Sequence, residues 1–523
     1  MELNRPDSSL PESPQGLVAV LLLSLLLKTV ICSFTEVINV DGALYLNVAQ
    51  TFEAGRFKDA ASLFPMPFYP LLLAGVHLLV PQWTVAAYFT SVASSVLVLV
   101  PLYLIARRLF DDRAAFWTCL AWAVCPEAND WGTQIMRDPP FLLFFAWAVH
   151  FTLKAMEDPK VRYFLLTALF LALGALLRIE ALIFTLFAIG FFLTLAFYRP
   201  DRRRFIWKGI LCWLLLLLGA GMLLAIILGD QWTAFNRADQ ISQALRELLG
   251  LRFLDNYLLI HEKLKIFQQE LPYPDGGQNF MEISRHYMPL IYLVGLAESY
   301  ASFLFAPFLL PLFLGVRRAN PRSPSVGREG RLFTASGIVL FVIVVYYRHV
   351  EMNFITQRYL LSAAFLAYPW IGRGLDLLWT RCREASYRSM LTALLVLAFV
   401  AAPVYKSLKP LGDQDPLVKR AGQWLVEHPR YREVKILSTD ARIPYYAGLG
   451  PNYIQHSRSI PLSMEDFALS QQVDLIILRT SLKNRGFTPR FQHYRQVQSI
   501  QGRKDMAMFY ASESLLSRLS GKD

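Results

Sequence analysis

Apolar runs of about 20 residues recur along most of this chain, and no other feature constrains its fold as strongly. A helix of that length crosses the hydrocarbon core of a bilayer, whereas a helix on a soluble protein needs a polar face. Composition agrees, because 54% of the 523 residues are hydrophobic and only 18% are charged, against roughly one quarter in an ordinary soluble domain. The sequence therefore predicts an α-helical polytopic membrane protein and excludes a water-soluble enzyme.

About 11–13 spans are expected, and eleven can be placed on the sequence. They lie at 17–34, 85–106, 114–125, 141–155, 163–177, 181–198, 206–229, 290–316, 332–347, 359–378 and 390–405. A further run at 67–80 is short and begins among prolines. Counting it as a span would move most of the Lys and Arg residues of the short loops to the outside, against the positive-inside rule. We therefore expect 67–80 to be an interfacial or re-entrant helix on the outer face.

This topology divides the chain into a cytoplasmic N-terminal tail (1–16), a membrane portion (17–405) and an extracytoplasmic α/β domain (412–523). The first outer loop covers 36–84, and a large outer loop covers 230–289, with an amphipathic stretch at 243–267 and a turn-rich segment at 272–277. In the C-terminal domain we expect a helix at 416–428 and strands at 434–439, 474–479 and 506–512.

The run at 17–34 has no Ala-x-Ala-like cleavage site, so we interpret it as a retained first span. The expected location is the inner (plasma) membrane, as a multi-pass protein with an extracytoplasmic C-terminus. The net charge of +12 is explained by basic cytoplasmic loops, so membrane lipids are expected partners and nucleic acid is not.

Acidic residues stand at the outer ends of the first spans. Asp41 follows the first span, and an N-cap of a helix at 43–53 is its ordinary structural interpretation. Asp138 precedes two prolines in the second outer loop and could cap the next span in the same way. We expect Asp41 and Asp138 to lie together at the non-cytosolic rim.

Other charged groups recur on the same side. They are Glu127, Asp130, Arg137, Arg178, Glu180, Arg348, His349, Glu351 and Arg358. Any one of them could simply extend its charged end to water. Together they suit a site where arginines hold a lipid phosphate leaving group and a carboxylate deprotonates an acceptor hydroxyl. Lys28, inside the first span, either extends outward or lines the same cavity.

Four short motifs resemble, in their order, the polytopic GT-C glycosyltransferases. They are Asp41-Gly42-x-x-Tyr45-x-x-x-Ala49, Arg107-Arg108-Leu109-Phe110, Arg137-Asp138-Pro139 and Arg358-Tyr359-Leu360. The branch they are most similar to is the bacterial one that resembles protein O-mannosyltransferases and the aminoarabinose transferase of lipid A. The resemblance covers the membrane portion, roughly 17–405.

The resemblance implies an inverting glycosyltransferase that moves a hexose or pentose from a polyprenyl-phosphate-linked donor to an extracytoplasmic glycan, lipid or protein acceptor. Its implied site has catalytic carboxylates (Asp41, Asp138), donor-phosphate ligands (Arg358, Arg178, Lys28) and acceptor or support residues (Tyr45, Arg137, Tyr359, Glu180). No certain cofactor is implied, and a divalent metal shared by Asp41 and Asp138 is left open. Such relatives carry Glu after the first-loop Asp, so Gly42 weakens the case for a protein hydroxyl acceptor.

Two other functions fit a polytopic chain. A transporter or lipid flippase would show internal repeats and charged or broken helices near the bilayer midplane, whereas here the charges line the outer boundary and no repeat is evident. A membrane scaffold whose C-terminal domain binds partners would leave the outer charges unexplained.

Overall fold

The structure is a computed structural model of the chain, and it describes residues 14–64, 66–228, 253–270, 276–318, 327–409, 415–450, 452–455, 461–482 and 491–520. The chain divides into two compact units. The first comprises Met1–Lys28, Val92–Gly132 and Arg137–Lys409, and the second comprises Thr29–Ser91, Thr133–Met136 and Pro410–Asp523. The predicted stretch at 243–267 is described only from Phe253, and most of the turn-rich segment at 272–277 lies outside the described residues.

Helices form most of the described chain, as predicted. The first twelve are α1 (Pro14–Ser33), α2 (Val40–Glu53), α3 (Phe57–Leu63), α4 (Phe68–His77), α5 (Trp83–Leu97), α6 (Leu99–Leu109), α7 (Asp112–Val124), α8 (Pro126–Thr133), α9 (Asp138–Glu157), α10 (Val161–Leu177), α11 (Glu180–Tyr198) and α12 (Arg203–Leu228). Then follow α13 (Phe253–Glu270), α14 (Gly276–His286), α15 (Met288–Leu304), α16 (Leu309–Arg317), α17 (Gly327–Met352), α18 (Leu361–Glu384), α19 (Arg388–Val396) and α20 (Ala402–Ser407).

Among the described residues, seven helices are long and apolar enough to cross a membrane. They are Gln15–Ser33, Trp83–Leu109, Asp138–Glu157, Glu180–Tyr198, Arg203–Met222, Gly327–Met352 and Arg388–Ser407. The other predicted spans correspond to helices that are shorter, bent or more polar: α7 has 13 residues, α10 has 17, and α18 carries buried Arg373 and Asp376. The run at 67–80 forms the short apolar helix α4.

The predicted span at 290–316 is broken. Helices α15 and α16 meet at an angle of 94°, and a short 3₁₀ turn (Ala306–Phe308) joins them. Phe305 has a positive φ of 64°, and Pro307 cannot donate a backbone hydrogen bond. The hydropathy of the run does not report this break, because apolar composition and backbone direction are separate properties. If the pair counts as one span, the structure has up to eight.

Helices α16 and α18 pack backbone to backbone. A Cβ atom on Gly374 would lie 1.8 Å from the carbonyl oxygen of Pro311, and one on Gly315 would lie 1.9 Å from that of Trp370. Small residues at such crossings are typical of helix packing in membranes, where close approach replaces the hydrophobic driving force. The two helices are thus tightly packed at this crossing.

The C-terminal part of the second unit contains a five-stranded sheet. Its elements are α21 (Leu417–Glu427), α22 (Pro429–Arg432), β1 (Ile436–Ser438), α23 (Arg442–Tyr446), β2 (Ile454–Gln455), α24 (Pro461–Ser470), β3 (Leu475–Ser481), β4 (Tyr494–Gln501), β5 (Asp505–Ser512) and α25 (Glu513–Leu519). The strand order is β2-β1-β3-β5-β4. Strand β1 is parallel to β2 and β3, and β5 is antiparallel to β3 and β4.

The predicted α/β domain and its helix and three main strands are confirmed. Prediction missed β2, which has two residues, and β4, which lies at the sheet edge. Strand β4 reads YRQVQSIQ and is mostly exposed. An edge strand buries little apolar surface, so the alternation that identifies buried strands is weak there.

Candidate functional site

A buried cluster of three charged residues lies where α9 and α11 begin and α10 ends. Arg178, the residue after α10, bonds through Nη1 to Asp138 Oδ1 and through Nη2 to Glu180 Oε1. Its Nε also donates to Glu180 Oε1, at 3.0 Å. Asp138 is 1% exposed and Arg178 is 5% exposed. Two carboxylates therefore share one guanidinium in a place where unpaired charge is costly.

Asp138 is only half satisfied. Its Oδ2 is buried and has no hydrogen-bond partner among the described residues. Asp138 does not cap α9 as an N-cap, because the helix begins at Asp138 itself and Arg137 precedes it in the cap position. Pro139 and Pro140 follow, so the first turn of α9 lacks two N–H donors that could bond this carboxylate. A buried acceptor without a donor is the kind of exception that a bound hydroxyl group would resolve.

The ring of Tyr359 connects this cluster with a second arginine. Arg178 Cζ lies 5.9 Å from the ring centroid of Tyr359, and Arg358 Cζ lies 5.7 Å from the same centroid. Arg358 and Tyr359 belong to the 3₁₀ turn Gln357–Leu360, just before α18. Arg137 interacts electrostatically with Glu180. The structure thus brings together six of the predicted site residues: Arg137, Asp138, Arg178, Glu180, Arg358 and Tyr359.

Lys28 is buried rather than extended to the membrane surface, with 1% exposure. Its Nζ donates to Ser24 Oγ at 3.0 Å and to Asn129 Oδ1 at 2.7 Å. Asn129 in turn donates from Nδ2 to Ser407 Oγ at 3.1 Å. Of the two placements expected for Lys28, outward extension is therefore wrong.

The predicted second outer loop supplies Asn129 on a short helix, α8, which was not predicted. The sequence pattern indicated the charged neighbours of Asn129 but neither Asn129 nor Ser407, since an amide and a hydroxyl carry no charge signal. Glu127 on the same helix lies 3.8 Å, Oε1 to Nζ, from Lys406. Burial raises the pKa of Glu127, and the positive charge of Lys406 opposes that shift.

Asp41 and Tyr45 lie on α2, in the second compact unit. The N-cap interpretation of Asp41 is wrong: α2 begins at Val40, Asn39 occupies the N-cap position, and Asp41 lies in the first turn, half-buried. Tyr45 is 3% exposed and packs edge-to-face against Phe64 and Tyr69. A packing role explains Tyr45, whereas it does not explain Asp41. That Asp41 and Asp138 share one site stays a prediction.

Gly42 stands where the resemblance predicts a glutamate, and a side chain at this position would meet its neighbours too closely. A Cβ atom on Gly42 would lie 2.7 Å from Asn39 Oδ1 and 2.9 Å from Ile135 Cβ. The side chain of Asn39 fills this space, with its Nδ2 donating to the Ile135 carbonyl at 3.2 Å and its Oδ1 accepting from the Ile135 N–H at 3.1 Å. The glycine at position 42 is therefore required by the packing of α2.

No group of three or more His, Cys, Asp or Glu side chains that could hold a metal ion occurs in the described part of the chain. At Asp138, one carboxylate oxygen is already bonded to Arg178, whose positive charge would repel a cation. The residues around Asp138 therefore do not suit a divalent metal.

Comparison with known proteins gives one matching family model and several solved structures with a similar fold. Residues 64–227, which include Asp138, Arg178 and Glu180, match the family described as dolichyl-phosphate-mannose-protein mannosyltransferase. No curated protein sequence matches the chain.

Among solved structures, the chain is similar to ArnT from Cupriavidus metallidurans bound to undecaprenyl phosphate, with a TM-score of 0.56 and 13% identity over 96% of this chain and 99% of that one. It is also similar to the oligosaccharyltransferase of Archaeoglobus fulgidus in complex with Zn and sulfate (TM-score 0.56, 12% identity, 88% of this chain and 67% of that one). The same enzyme tethered to an acceptor peptide matches with a TM-score of 0.53 and 11% identity, over 89% of this chain and 69% of that one. At such identities the shared property is the fold.

Proposed function

We propose, from the premise that the chain belongs by its fold to the GT-C superfamily of membrane glycosyltransferases, that it transfers a sugar from a polyprenyl-phosphate donor with inversion. The observation that carries this proposal is Asp138, a buried carboxylate with one oxygen held by Arg178 and the other without a partner among the described residues. Undecaprenyl phosphate is bound by the similar ArnT structure, which supports a lipid-linked donor here.

In the proposed reaction, an acceptor hydroxyl oxygen attacks the anomeric carbon of the donor sugar. The bond from that carbon to the phosphate oxygen breaks, and polyprenyl phosphate leaves with the electron pair. The proton of the attacking hydroxyl passes to Asp41. Asp138 Oδ2 accepts a hydrogen bond from a neighbouring hydroxyl group of the acceptor and so aims the attacking oxygen at the anomeric carbon. Arg178 and Glu180 hold Asp138 in its rotamer as positioning residues.

The leaving phosphate needs cationic groups because negative charge develops on it as the bond breaks. Arg178 is occupied by two carboxylates, so we assign phosphate binding mainly to Arg358, whose guanidinium stacks on the Tyr359 ring. Lys28 is proposed as a further phosphate ligand from the sequence alone, and its bonds to Ser24 and Asn129 fix where its charge lies.

Asp41 is proposed as the general base that takes the acceptor proton, on the strength of its place in the family motif. The reaction is proposed to occur at the outer face of the inner membrane, where a polyprenyl-linked sugar is reachable without transport of a nucleotide sugar. We take the acceptor to be a glycan or a lipid in preference to a protein, and we propose that it lies outside the cytoplasm.

The test is lipid profiling in a strain from which the gene is deleted. A polyprenyl-phosphate sugar should accumulate, and the full-length chain should restore its normal level. Asp41→Asn should fail to restore it, whereas Asp59→Asn, which alters an exposed carboxylate of the same loop, should restore it fully. Absence of any accumulated polyprenyl-phosphate sugar would overturn the donor assignment, and full restoration by Asp41→Asn would overturn the role of Asp41.

A flippase for the same lipid is the second candidate, favoured by the 94° bend between α15 and α16, since broken helices are common in transporters. The two functions differ in product. In proteoliposomes, a flippase would move a fluorescent polyprenyl-phosphate sugar from one leaflet to the other. It would release no polyprenyl phosphate. Release of polyprenyl phosphate that requires an acceptor fraction would support the transferase.

A further inference from the structure

The C-terminal α/β domain and the first predicted outer loop belong to the same compact unit. This is unexpected for two segments separated by more than 300 residues of membrane helices. The contacts between them are specific, and they lie in the segment just before α2, the helix that carries Asp41, and at Asn47 within that helix.

Three contacts join α2 and its approach to the C-terminal domain. The backbone N–H of Ile38 donates to Tyr446 Oη at 2.9 Å. Further along the helix, Asn47 Nδ2 donates to Tyr453 Oη at 3.4 Å, and Asn47 is 2% exposed. Val37, also 2% exposed, packs into the core cluster that includes residues of β1, β3 and β5. Residues on both sides of Asp41 are therefore fixed to the domain.

The same end of α2 is fixed from another direction by the segment Thr133–Met136. The reciprocal hydrogen bonds between Asn39 and the backbone of Ile135, together with the close contact at Gly42, hold the first turn against that segment. Asp41 therefore sits between two anchored residues, Asn39 and Gly42. A carboxylate that must meet a substrate within tenths of an ångström gains from such a frame.

On the domain side, Tyr446 stands at the end of α23, whose start is locked by a buried ion cluster. Asp440 accepts from the Arg442 N–H and Nε at 3.0 Å each and from its Nη2 at 2.7 Å, and from Arg479 Nη1 at 2.8 Å. This cluster lies at the carboxyl ends of the parallel strands β1 and β3, which is where open α/β sheets usually bind a ligand. Here α23 begins directly after that edge of the sheet, and its last residue, Tyr446, contacts Ile38 in the segment just before α2.

We propose that the C-terminal domain is a positioning element of the transferase, which holds the Asp41 helix in its working orientation through the hydroxyl groups of Tyr446 and Tyr453. The inference rests on the proposed function in so far as Asp41 is the catalytic carboxylate. Tyr446 and Tyr453 are positioning residues, since they act through α2 and not on substrate.

The test compares hydrogen–deuterium exchange of the full-length chain in detergent with that of Tyr446→Phe and Tyr453→Phe. Removing the Tyr446 hydroxyl leaves the Ile38 N–H without its acceptor while the ring stays in place. Exchange in the peptide covering Val37 to Leu46 should become about fivefold faster, the loss expected for one hydrogen bond. Tyr445→Phe is the matched control: its hydroxyl makes no hydrogen bond with the described residues, and exchange should not change.

The second measurement is release of polyprenyl phosphate from a polyprenyl-phosphate sugar by the same variants. A positioning role predicts a lower kcat, about threefold to tenfold for Tyr446→Phe, with the apparent KM for the donor within twofold of the original and exchange in β3 and β5 unchanged. A general loss of folding would instead speed exchange across the sheet.

Unchanged exchange at Val37 to Leu46 in both variants would overturn the inference, and so would faster exchange with unchanged kcat. If Tyr446→Phe does not fold, Tyr453→Phe decides the outcome alone. Failure of the original chain to release polyprenyl phosphate would overturn the proposed function instead, and the exchange data would then still decide whether the domain fixes α2.

Discussion

Two buried arginine–carboxylate clusters, one in each compact unit, satisfy their charges differently. In the C-terminal domain, Asp440 and Asp505 face Arg442 and Arg479, so carboxylates and guanidiniums are equal in number. Both oxygens of Asp440 accept hydrogen bonds from guanidinium groups. The charges of such a cluster balance, and its removal should be felt as lost stability.

The cluster in the membrane portion is unbalanced. Asp138 and Glu180 share Arg178, and one oxygen of Asp138 is buried without a partner among the described residues. A fold that needed only stability would gain by satisfying or removing that oxygen. We infer that Asp440 serves the fold, and the proposal that Asp138 serves a ligand then predicts opposite effects of equivalent substitutions at the two positions.

The largest effect is expected for Asp138→Asn. The amide keeps the shape and an oxygen for Arg178, but it removes the negative charge that binds the acceptor hydroxyl. Turnover should fall about 100-fold, equivalent to about 3 kcal/mol, while the unfolding temperature in detergent changes little. Asp158→Asn, at the opposite end of α9 and half-exposed, should keep full turnover. An unchanged rate in Asp138→Asn would remove the contrast between the clusters.

Asp440→Asn should show the reverse pattern. Arg442 and Arg479 would then face only Asp505, and the cost of the uncompensated buried charge should be about 2 to 3 kcal/mol of domain stability. Exchange in β1 and β3 should speed up accordingly, with Asp466→Asn on the exposed face of α24 as the unaffected control. Stability equal to that of the original chain would show that the balanced cluster is not structural.

Sequence patterns predicted the polytopic helical fold, the C-terminal α/β domain and the presence of charged groups at the first-loop and second-loop positions. They did not predict the cluster around Asp440. Asp440, Arg442, Arg479 and Asp505 are spread over 66 residues, and charged residues at that spacing look like an ordinary soluble surface. Their burial depends on how β1 and β3 pair, which is a long-range property.

The membrane cluster was partly visible because Arg178 and Glu180 are close in sequence and stand between two apolar runs. Asp138 was expected at the same site, but its direct ion pair with Arg178 was not predicted, since 40 residues and two helices separate the two residues. The anchors of α2 were missed for a related reason: Asn39, Asn47 and Tyr446 are neutral, and hydrogen bonds between neutral groups have no periodic signature.

Low pH should weaken the stabilising contribution of the cluster around Asp440. Burial alone would raise the pKa of Asp440, but the hydrogen bonds and charges of Arg442 and Arg479 outweigh it and lower the pKa from 3.8 to about 2. The ion cluster's contribution is therefore fully present above about pH 4 and is lost as the pH falls toward 2, by about 2 kcal/mol. Exchange in β3, corrected for its intrinsic pH dependence, should rise over this window.

Asp440→Asn provides the reference for that titration, because it cannot gain a proton at this position. The difference in β3 protection between the original chain and the variant should shrink as the pH falls below 4. A constant difference from pH 6 to pH 2 would show that another group governs the acid response.

The smallest effect is expected for Arg358→Ala, which sharpens the comparison within the membrane cluster itself. Arg178 is held by two carboxylates, so Arg358 should carry most of the phosphate contact. Its loss should raise the apparent KM for a polyprenyl-phosphate sugar about tenfold and change kcat less than threefold, because the contact is made to the donor before and during the reaction.

Arg348→Ala, which removes a half-exposed arginine paired with Glu351, should leave both constants unchanged. If Arg358→Ala lowered kcat and left KM unchanged, the arginine would act on the developing charge alone; if neither constant changed, phosphate binding would have to be reassigned to Arg178 or Lys28.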